Sequence, residues 1–212
     1  NARLNCRILL KAENLQRTGS FKFRGAFNMI SGLTDLQKNN GIVAFSSGNH
    51  AQGVATASRI LNIKSTIVMP ADAPKIKIKN TRNDGANIVF YNRADANRVK
   101  IAEEIIKETG ATLVPPYDAP EIIAGQGTLG LEFIDQVKNK NTQLDYLLSP
   151  CSGGGLIAGN AIAFKEQSPD TQVYCVEPEG YNDTALSLKT GERKNIITNI
   201  NTAYCFLSIC IL

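Results

Sequence analysis

The sequence has no long apolar run, a single histidine and only five cysteines in 212 residues. No window approaches the roughly 18 apolar residues of a membrane span, and the first ten residues lack a charged segment followed by a sustained apolar stretch. The cysteines show neither the paired C-x-x-C spacing of a zinc site nor the density of a secreted disulfide framework. We therefore expect a soluble, cytoplasmic protein with reduced thiols and no membrane partner.

The charge pattern is equally unspecialised. The formal net charge is +4, and the Lys and Arg residues are scattered among acids instead of gathered into a basic run. The sequence also contains no internal repeat and no low-complexity linker. Nothing here favours a nucleic-acid partner, and the length suits either one large or two small domains.

Short β-rich runs alternate with segments of helical periodicity, which is typical of parallel α/β layers. The Pro-rich segment 115–120 and the turn before Gly41 are the best candidate boundaries. We predict a large domain from residues 1–40 and 118–212 and a small domain from 41–117. The predicted strands are 41–45, 65–69, 86–91, 111–114, 144–149 and 172–177, and the predicted helices are 20–33, 50–61, 74–84, 95–109, 120–139, 155–167 and 182–190.

Lys22 occupies an unusual place in the first predicted helix. At 100° per residue, Phe23, Ala26, Phe27, Met29, Ile30 and Leu33 share one arc, and Lys22 lies inside it. The lysine either extends its amine to water at the helix start or is desolvated. Desolvation lowers the pKa of an amine and leaves it able to attack an aldehyde. Periodicity alone does not decide between these alternatives.

Two loops have the composition of anion-binding sites. SSGNHAQG (46–53) and SGGGLIAG (152–159) each follow a predicted strand and open a predicted helix, so their backbone N–H groups are available at a helix N-terminus. Glycines let such amides approach a phosphate closely. An ordinary N-cap loop has the same residue types, so either pattern alone is a weak signal.

The chain resembles the serine/threonine dehydratase and serine racemase family of fold-type II pyridoxal-phosphate enzymes. The resemblance implies an α/β fold like that of tryptophan synthase β, with two three-layer α/β/α domains, and a large domain that is incomplete at its C-terminal end. The tail after Asn195 departs from the family pattern. The matching segments, in order, are KAENLQRTGSFKFRGA (11–26), SSGNHAQGVA (46–55), PPYDAPEIIAGQGTLGLE (115–132), SGGGLIAG (152–159) and VEPEG (176–180).

The resemblance assigns roles to individual residues. It implies that Lys22, after Phe21, holds pyridoxal 5'-phosphate, and that Asn49 contacts the phenolic oxygen of its ring. It implies a substrate-carboxylate site at Ser46, Ser47, Asn49 and His50, with a structural histidine as the alternative for His50. Arg98 matches a substrate-contacting arginine, although a solvent-exposed surface arginine is the alternative. The phosphate cradle is implied at Ser152, Gly153, Gly154, Gly155 and Leu156.

Two further features are implied by the racemase branch. Ser47 occupies the position of the second proton donor of serine racemases, while a serine that only caps a helix is the alternative. Glu177 and Asp183, with the carbonyl of Tyr181, match an oxygen-ligand site for Mg²⁺ or Ca²⁺. Two acids at this spacing are otherwise ordinary surface residues.

The implied reaction is the dehydration and deamination of L-threonine or L-serine to a 2-oxo acid and ammonia, with a small-molecule amino acid as substrate and a homodimer as the assembly. Serine racemase and 3-hydroxyaspartate dehydratase are the rival enzymes. The rival from another class is a non-catalytic fragment that retains the fold.

Overall fold

The computed structural model describes residues 5–94 and 96–194, together with the backbone of residues 209–211. The strands are β1 (Leu10–Ala12), β2 (Ile42–Phe45), β3 (Ser65–Pro70), β4 (Asn87–Tyr91), β5 (Thr112–Leu113), β6 (Tyr146–Pro150), β7 (Gln172–Val176) and β8 (Ile209–Ile211). The helices are α1 (Lys22–Ser31), α2 (Asp35–Asn40), α3 (Asn49–Ile60), α4 (Lys75–Asn83), α5 (Arg98–Thr109), α6 (Pro120–Lys138), α7 (Gly155–Gln167) and α8 (Asp183–Thr190).

The predicted alternation of strands and helices is confirmed. Each of the six predicted strands and seven predicted helices is present, with ends within three residues of those expected. The helix α2 was missed, although Thr34 and Gln37 form a capping box at its start: the Thr34 hydroxyl accepts from the Gln37 N–H, and the Gln37 side chain accepts from the Thr34 N–H. The pattern Thr-x-x-Gln indicates a helix start, so the sequence did contain a signal for α2.

A four-stranded parallel sheet, in the order β4-β3-β2-β5, is covered by helices on both faces. Successive residues of β2 point to opposite sides, so Ile42 and Ala44 enter one buried cluster with α1 and α3 residues, while Val43 enters another with Ala102 of α5. Burial of both faces explains why β2 is continuously apolar. The expected three-layer α/β/α arrangement is therefore present around this sheet.

A second parallel pair, β6 and β7, packs beside the helices α6 and α7. Its core contains Phe133, Val137, Leu147 and Phe164. The strands β1 and β8 pair antiparallel. The domain boundaries predicted at 40/41 and 117/118 stay a prediction. The aberrant tail predicted after Asn195 lies outside the described residues, apart from the backbone of β8.

The helix α6 touches α1 and α7 through glycines. A methyl group on Gly125 would lie 2.6 Å from the Cα of Gly25, and one on Gly127 would lie 2.8 Å from the carbonyl oxygen of Gly159. These distances are shorter than a carbon atom tolerates, so any larger residue would force the helices apart. The backbones of α1, α6 and α7 are therefore in direct contact.

An ion network joins the segment before α1 to α1 and α6. Lys11, of which 8% is exposed, donates to Glu132 and, at 2.9 Å, to Gln136. Arg24 bridges the buried Glu13 at 2.8 Å and Glu132 at 2.7 Å. Burial acts to raise the pKa of Glu132, but hydrogen bonds from Lys11 and Arg24 outweigh it and hold that pKa below its usual range. Each described cation of this network thus has a carboxylate partner.

Among the described residues, no helix is long and apolar enough to cross a membrane.

Candidate active site

Lys22 is the first residue of α1, and its amine is turned into the protein. Nζ donates to the carbonyl oxygen of Pro116 at 2.5 Å and lies 5.3 Å from the centre of the Phe21 ring. In the predicted apolar arc of α1, Ala26, Ile30 and Leu33 are buried, and the remaining members are half-buried against the same core. Of the two alternatives left open by the sequence, the structure shows the desolvated amine.

Burial lowers the pKa of Lys22 from 10.5 to about 8. The ammonium form loses hydration in the interior, and a backbone carbonyl replaces water without supplying a negative charge. Near neutral pH, an appreciable fraction of the amine is therefore unprotonated. An unprotonated amine is the nucleophilic form that condenses with a carbonyl compound.

The segment Pro116–Tyr117 connects Lys22 to the glycine-rich loop. Pro116 accepts from the Lys22 amine, while the next residue packs on the loop so closely that a methyl group on Gly153 would lie 2.3 Å from the Tyr117 ring. A methyl group on Gly155 would lie 2.3 Å from the Tyr117 carbonyl oxygen. The structure therefore brings the predicted lysine and the predicted phosphate loop to opposite sides of one dipeptide.

The glycine-rich loop leaves donors at the start of α7. Gly154 is the N-cap residue with φ of 84°, a left-handed conformation that favours glycine, and no side chain caps the helix. A methyl group on Gly154 would meet no atom within 4 Å, so space is open beside it. Ser152 and Gly153 are exposed, whereas Gly155 and Leu156 are buried. Uncapped amides beside open space suit a phosphate group.

The loop 46–50 lies at the carboxyl end of β2, where ligand sites of parallel sheets form. The Ser46 hydroxyl accepts from the Gly48 N–H at 3.1 Å, and Ser47 is half-buried. Asn49 is the first residue of α3, which has no side-chain cap, and its Oδ1 accepts from Lys77 at 2.7 Å. The backbone N–H groups at the start of α3 are thus available to an anion.

His50 is buried and paired with the main chain. Its Nε2 lies 2.9 Å from the carbonyl oxygen of Val114, which requires the proton on Nε2. Burial, followed by the positive charge of Lys22, lowers the pKa of His50 to about 3 despite the opposing effect of the Val114 bond. The ring is therefore neutral, as a positioning or structural histidine must be. Direct contact with a substrate stays a prediction.

The loop 46–50 is held near Lys22 by a close helix contact. A methyl group on Gly53 would lie 3.1 Å from the carbonyl carbon of Lys22, so α3 meets the start of α1 at its backbone. Arg98 approaches the same loop from α5. It is exposed, and its guanidinium lies 5.2 Å above the ring of Phe45, the residue directly before Ser46. Arg98 is therefore a surface residue that also lies next to the loop.

The predicted cation ligands have another use in the structure. Both carboxylate oxygens of Glu177 accept from backbone N–H groups at the start of α8, from Thr184 at 3.0 Å and Ala185 at 2.9 Å. Asp183 is the first residue of that helix. No group of three or more His, Cys, Asp or Glu side chains in the described part of the chain could hold a metal ion. Glu177 therefore caps α8, the cation at Glu177, Tyr181 and Asp183 stays a prediction, and we assign no chemical step to a metal.

Sequence reasoning missed three residues at this site. Pro116 and Tyr117 were noted in a Pro-rich boundary and in the matching segment 115–132 but were given no role, and Lys77 was not singled out within its lysine-rich helix. The aromatic residue inside PPYDAP was the one available signal.

Comparisons with known proteins show the family of the chain. The sequence profile of the family described as "Pyridoxal-phosphate dependent enzyme" matches residues 1–204. The chain belongs to this family. It is 46% identical over 202 residues to the L-threo-3-hydroxyaspartate ammonia-lyase of Saccharomyces cerevisiae, covering 95% of this chain and 60% of that one.

Two further relatives show the range of activities among similar proteins. The serine racemase of Schizosaccharomyces pombe is 42% identical over 191 residues, which cover 90% of this chain and 58% of the relative. The crystal structure of a threonine deaminase from T.th. superposes with a TM-score of 0.82 at 44% identity, covering 89% of this chain and 59% of that one. The fold is therefore that of fold-type II pyridoxal-phosphate enzymes, and the chain spans about three fifths of the length of these relatives.

Proposed function

We propose that this chain carries the cofactor-binding part of a pyridoxal-phosphate-dependent ammonia-lyase that dehydrates and deaminates L-threonine, L-serine or both. The products would be a 2-oxo acid and ammonia. The observation that carries the proposal is the amine of Lys22: it is enclosed, has a pKa of about 8, and is one dipeptide away from the uncapped amides of the glycine-rich loop.

The residues present fit the cofactor. Lys22 would hold its aldehyde carbon, the amides of Gly153, Gly154 and Gly155 would hold its phosphate, and Asn49 would face its ring oxygen. The open space beside Gly154 and the absence of a side-chain cap on α7 support the phosphate assignment. When bound, pyridoxal phosphate supplies a conjugated ring that spreads the charge left on the substrate α-carbon.

Residues of the chain would bind the substrate carboxylate and remove the α-proton. The loop 46–50 would bind the substrate carboxylate through its N–H groups at the start of α3. The Lys22 amine would take the α-proton, because its lowered pKa leaves it unprotonated often enough to act as a base near neutral pH. The buried, neutral His50 supports this part of the site through its bond to Val114 and takes no proton itself.

The test is a cofactor-binding spectrum of the purified protein, followed by 2-oxo acid production from L-serine and L-threonine in turn. We expect a visible absorption band that borohydride abolishes, and loss of both the band and the activity in Lys22→Ala. Lys79→Met, on an exposed part of α4, is the matched lysine control. A protein that takes up no cofactor would support the non-catalytic fragment instead, and full 2-oxo acid production by Lys22→Ala would disprove the assigned role.

Arg98 favours 3-hydroxyaspartate as a second candidate substrate. Its guanidinium lies above Phe45, next to the carboxylate loop, and an arginine there suits a second substrate carboxylate. A protein related at 46% identity is named for this activity. If L-threo-3-hydroxyaspartate is the preferred substrate, Arg98→Met should raise its KM at least tenfold while leaving that of L-serine within about twofold.

Ser47 supports racemisation as a side reaction. A hydroxyl in the half-buried loop could deliver a proton to the face of the α-carbon opposite Lys22. Formation of D-serine from L-serine by the wild type, and its loss in Ser47→Ala with pyruvate formation retained, would establish this role. A cation at Glu177, Tyr181 and Asp183, a homodimeric assembly, the domain boundaries and a cytoplasmic location stay predictions.

A further inference from the structure

Lys77 lies on α4 and reaches across to the first residue of α3. Its Nζ donates to Oδ1 of Asn49 at 2.7 Å. Both side chains are half-buried, so the contact is partly shielded from water. The other lysines of α4, Lys75 and Lys79, are exposed. Lys77 is thus the lysine of this helix that turns toward the candidate site.

The identity of the donor fixes the orientation of the Asn49 amide. A lysine ammonium has three N–H donors and no acceptor, so only the oxygen of the amide can face it. The amide nitrogen must then point to the other side, where it is a donor. In the described part of the chain, Nδ2 of Asn49 makes no hydrogen bond. Rotation of the amide by 180° would place two donors against each other and lose a charge-assisted bond.

We propose that Lys77 is a positioning residue that holds the Asn49 amide with its N–H group directed at the cofactor ring oxygen. This inference rests on the proposed function, because it requires Asn49 to face that oxygen. The ring oxygen carries negative charge and accepts hydrogen bonds, so only the orientation imposed by Lys77 is productive. The ammonium also polarises the amide, which makes its N–H a stronger donor.

The experiment measures the dissociation constant of pyridoxal phosphate from its visible absorption band, in the wild type and in Lys77→Met. We expect about tenfold weaker binding in Lys77→Met, the usual size of a hydrogen bond to a charged group. Lys79→Met removes the same charge from the same helix without touching Asn49, and should bind as the wild type does. Equal weakening in both variants would overturn the proposal, because the effect would then come from net charge alone.

A double-mutant cycle separates positioning from general electrostatic attraction. If Lys77 acts through the amide, Lys77→Met should have no further effect in an Asn49→Ala background. A tenfold loss that persists in that background would overturn the proposal. Lys77→Arg keeps a cationic donor and should bind the cofactor within about threefold of the wild type; binding as weak as that of Lys77→Met would also count against it.

Failure of the proposed function and failure of the positioning role of Lys77 give different results. If wild-type protein takes up no cofactor, the proposed function fails and this inference fails with it. If the wild type binds and Lys77→Met binds equally well, only the positioning role is lost. Thermal unfolding of each variant shows that it is folded before its affinity is interpreted.

Discussion

Two lysines lie close to α1, the buried Lys11 and the half-buried Lys22, and their surroundings differ in one respect. Lys11 donates to the Glu132 carboxylate and to Gln136, within a network in which Arg24 also binds Glu13. Lys22 donates to the carbonyl oxygen of Pro116. Both amines are shielded from water, but the Lys11 amine binds a carboxylate, whereas the Lys22 amine binds a neutral carbonyl oxygen.

The difference separates a structural amine from a reactive one. Lys11 joins two segments of the chain through its hydrogen bonds to Glu132 and Gln136. A carbonyl oxygen accepts a hydrogen bond without compensating the charge, and the pKa of Lys22 falls to about 8. Burial next to a neutral partner therefore lowers the pKa of Lys22 and makes its amine more nucleophilic near neutral pH.

Breaking the paired network should have the largest effect. Glu13→Gln removes one of the two carboxylates that bind the half-buried Arg24 and should lower the free energy of unfolding by about 3 kcal/mol, since the guanidinium then keeps only the exposed Glu132 carboxylate. Urea unfolding at neutral pH measures the change. The control is Glu192→Gln, whose partner Lys194 is exposed, and which should cost less than about 0.5 kcal/mol. Equal losses in the two variants would show that burial of the network has no energetic consequence.

Removing the Lys22 amine, whose partner is a neutral carbonyl, should stabilise the folded state instead. Lys22→Met should raise the free energy of unfolding of the cofactor-free protein by about 2 kcal/mol at pH 7, the net of relieved desolvation and a lost hydrogen bond. The folded pKa lies below the unfolded one, so the penalty in the wild type is full below pH 8 and disappears as the pH rises to 10.5. The gap between variant and wild type, from urea unfolding, should therefore shrink by pH 10. An unchanged gap would contradict the desolvation argument.

His50 extends the comparison to acid. Its pKa is about 3 in the folded state, against 6.5 in the unfolded chain, so the unfolded chain binds more protons between these values. Stability therefore falls as the pH drops below 6.5, by about 2 kcal/mol at pH 5 from this residue. His50→Gln should be less acid-sensitive by that amount in pH-dependent urea unfolding. Because the chain has one histidine, an NMR titration of its ring signals assigns the effect without ambiguity.

The smallest expected effect is the pH dependence of cofactor capture at Lys22. The unprotonated fraction falls about tenfold for each pH unit below a pKa of about 8, so the rate of capture should fall in the same proportion and level off above it. Borohydride trapping at several pH values, with mass spectrometry of the modified peptide, gives the rate and the site. Modification of Lys11 in place of Lys22, or a rate that is flat between pH 6 and 8, would contradict the expected difference in reactivity between the two amines.

Sequence patterns predicted the elements of this fold well, because strand and helix signals are local. The periodicity of α1 placed Lys22 among apolar residues, and the structure shows that its amine is indeed enclosed. The two loops were found because short polar residues and glycines at a strand-to-helix junction have a direct physical meaning. Local signals thus located the parts of the candidate site, while the resemblance to a known family gave them roles.

Contacts between distant segments were beyond the sequence. Nothing in the residues near Lys11 indicates Glu132, and nothing near Asn49 indicates Lys77. Pro116 binds Lys22 through its backbone carbonyl, so its side chain gives no signal of this contact. The acid Glu177 is a further example: the resemblance implied a cation there, the two backbone N–H partners at the start of α8 were not foreseen, and the cation stays a prediction. Pairings of this kind depend on how helices meet, which local composition does not record.

The glycine contacts of α6 with α1 and α7 have a consequence for how such sites diverge. Where backbones touch at Gly125 and Gly127, no side chain can be enlarged or trimmed to alter the spacing of the three helices. The distance from the amine at the start of α1 to the backbone amides at the start of α7 is therefore fixed by these helix contacts and does not depend on the substrate. We expect new specificities to arise outside these helix contacts, for example at Ser47 in the loop 46–50 and at Arg98 at the start of α5.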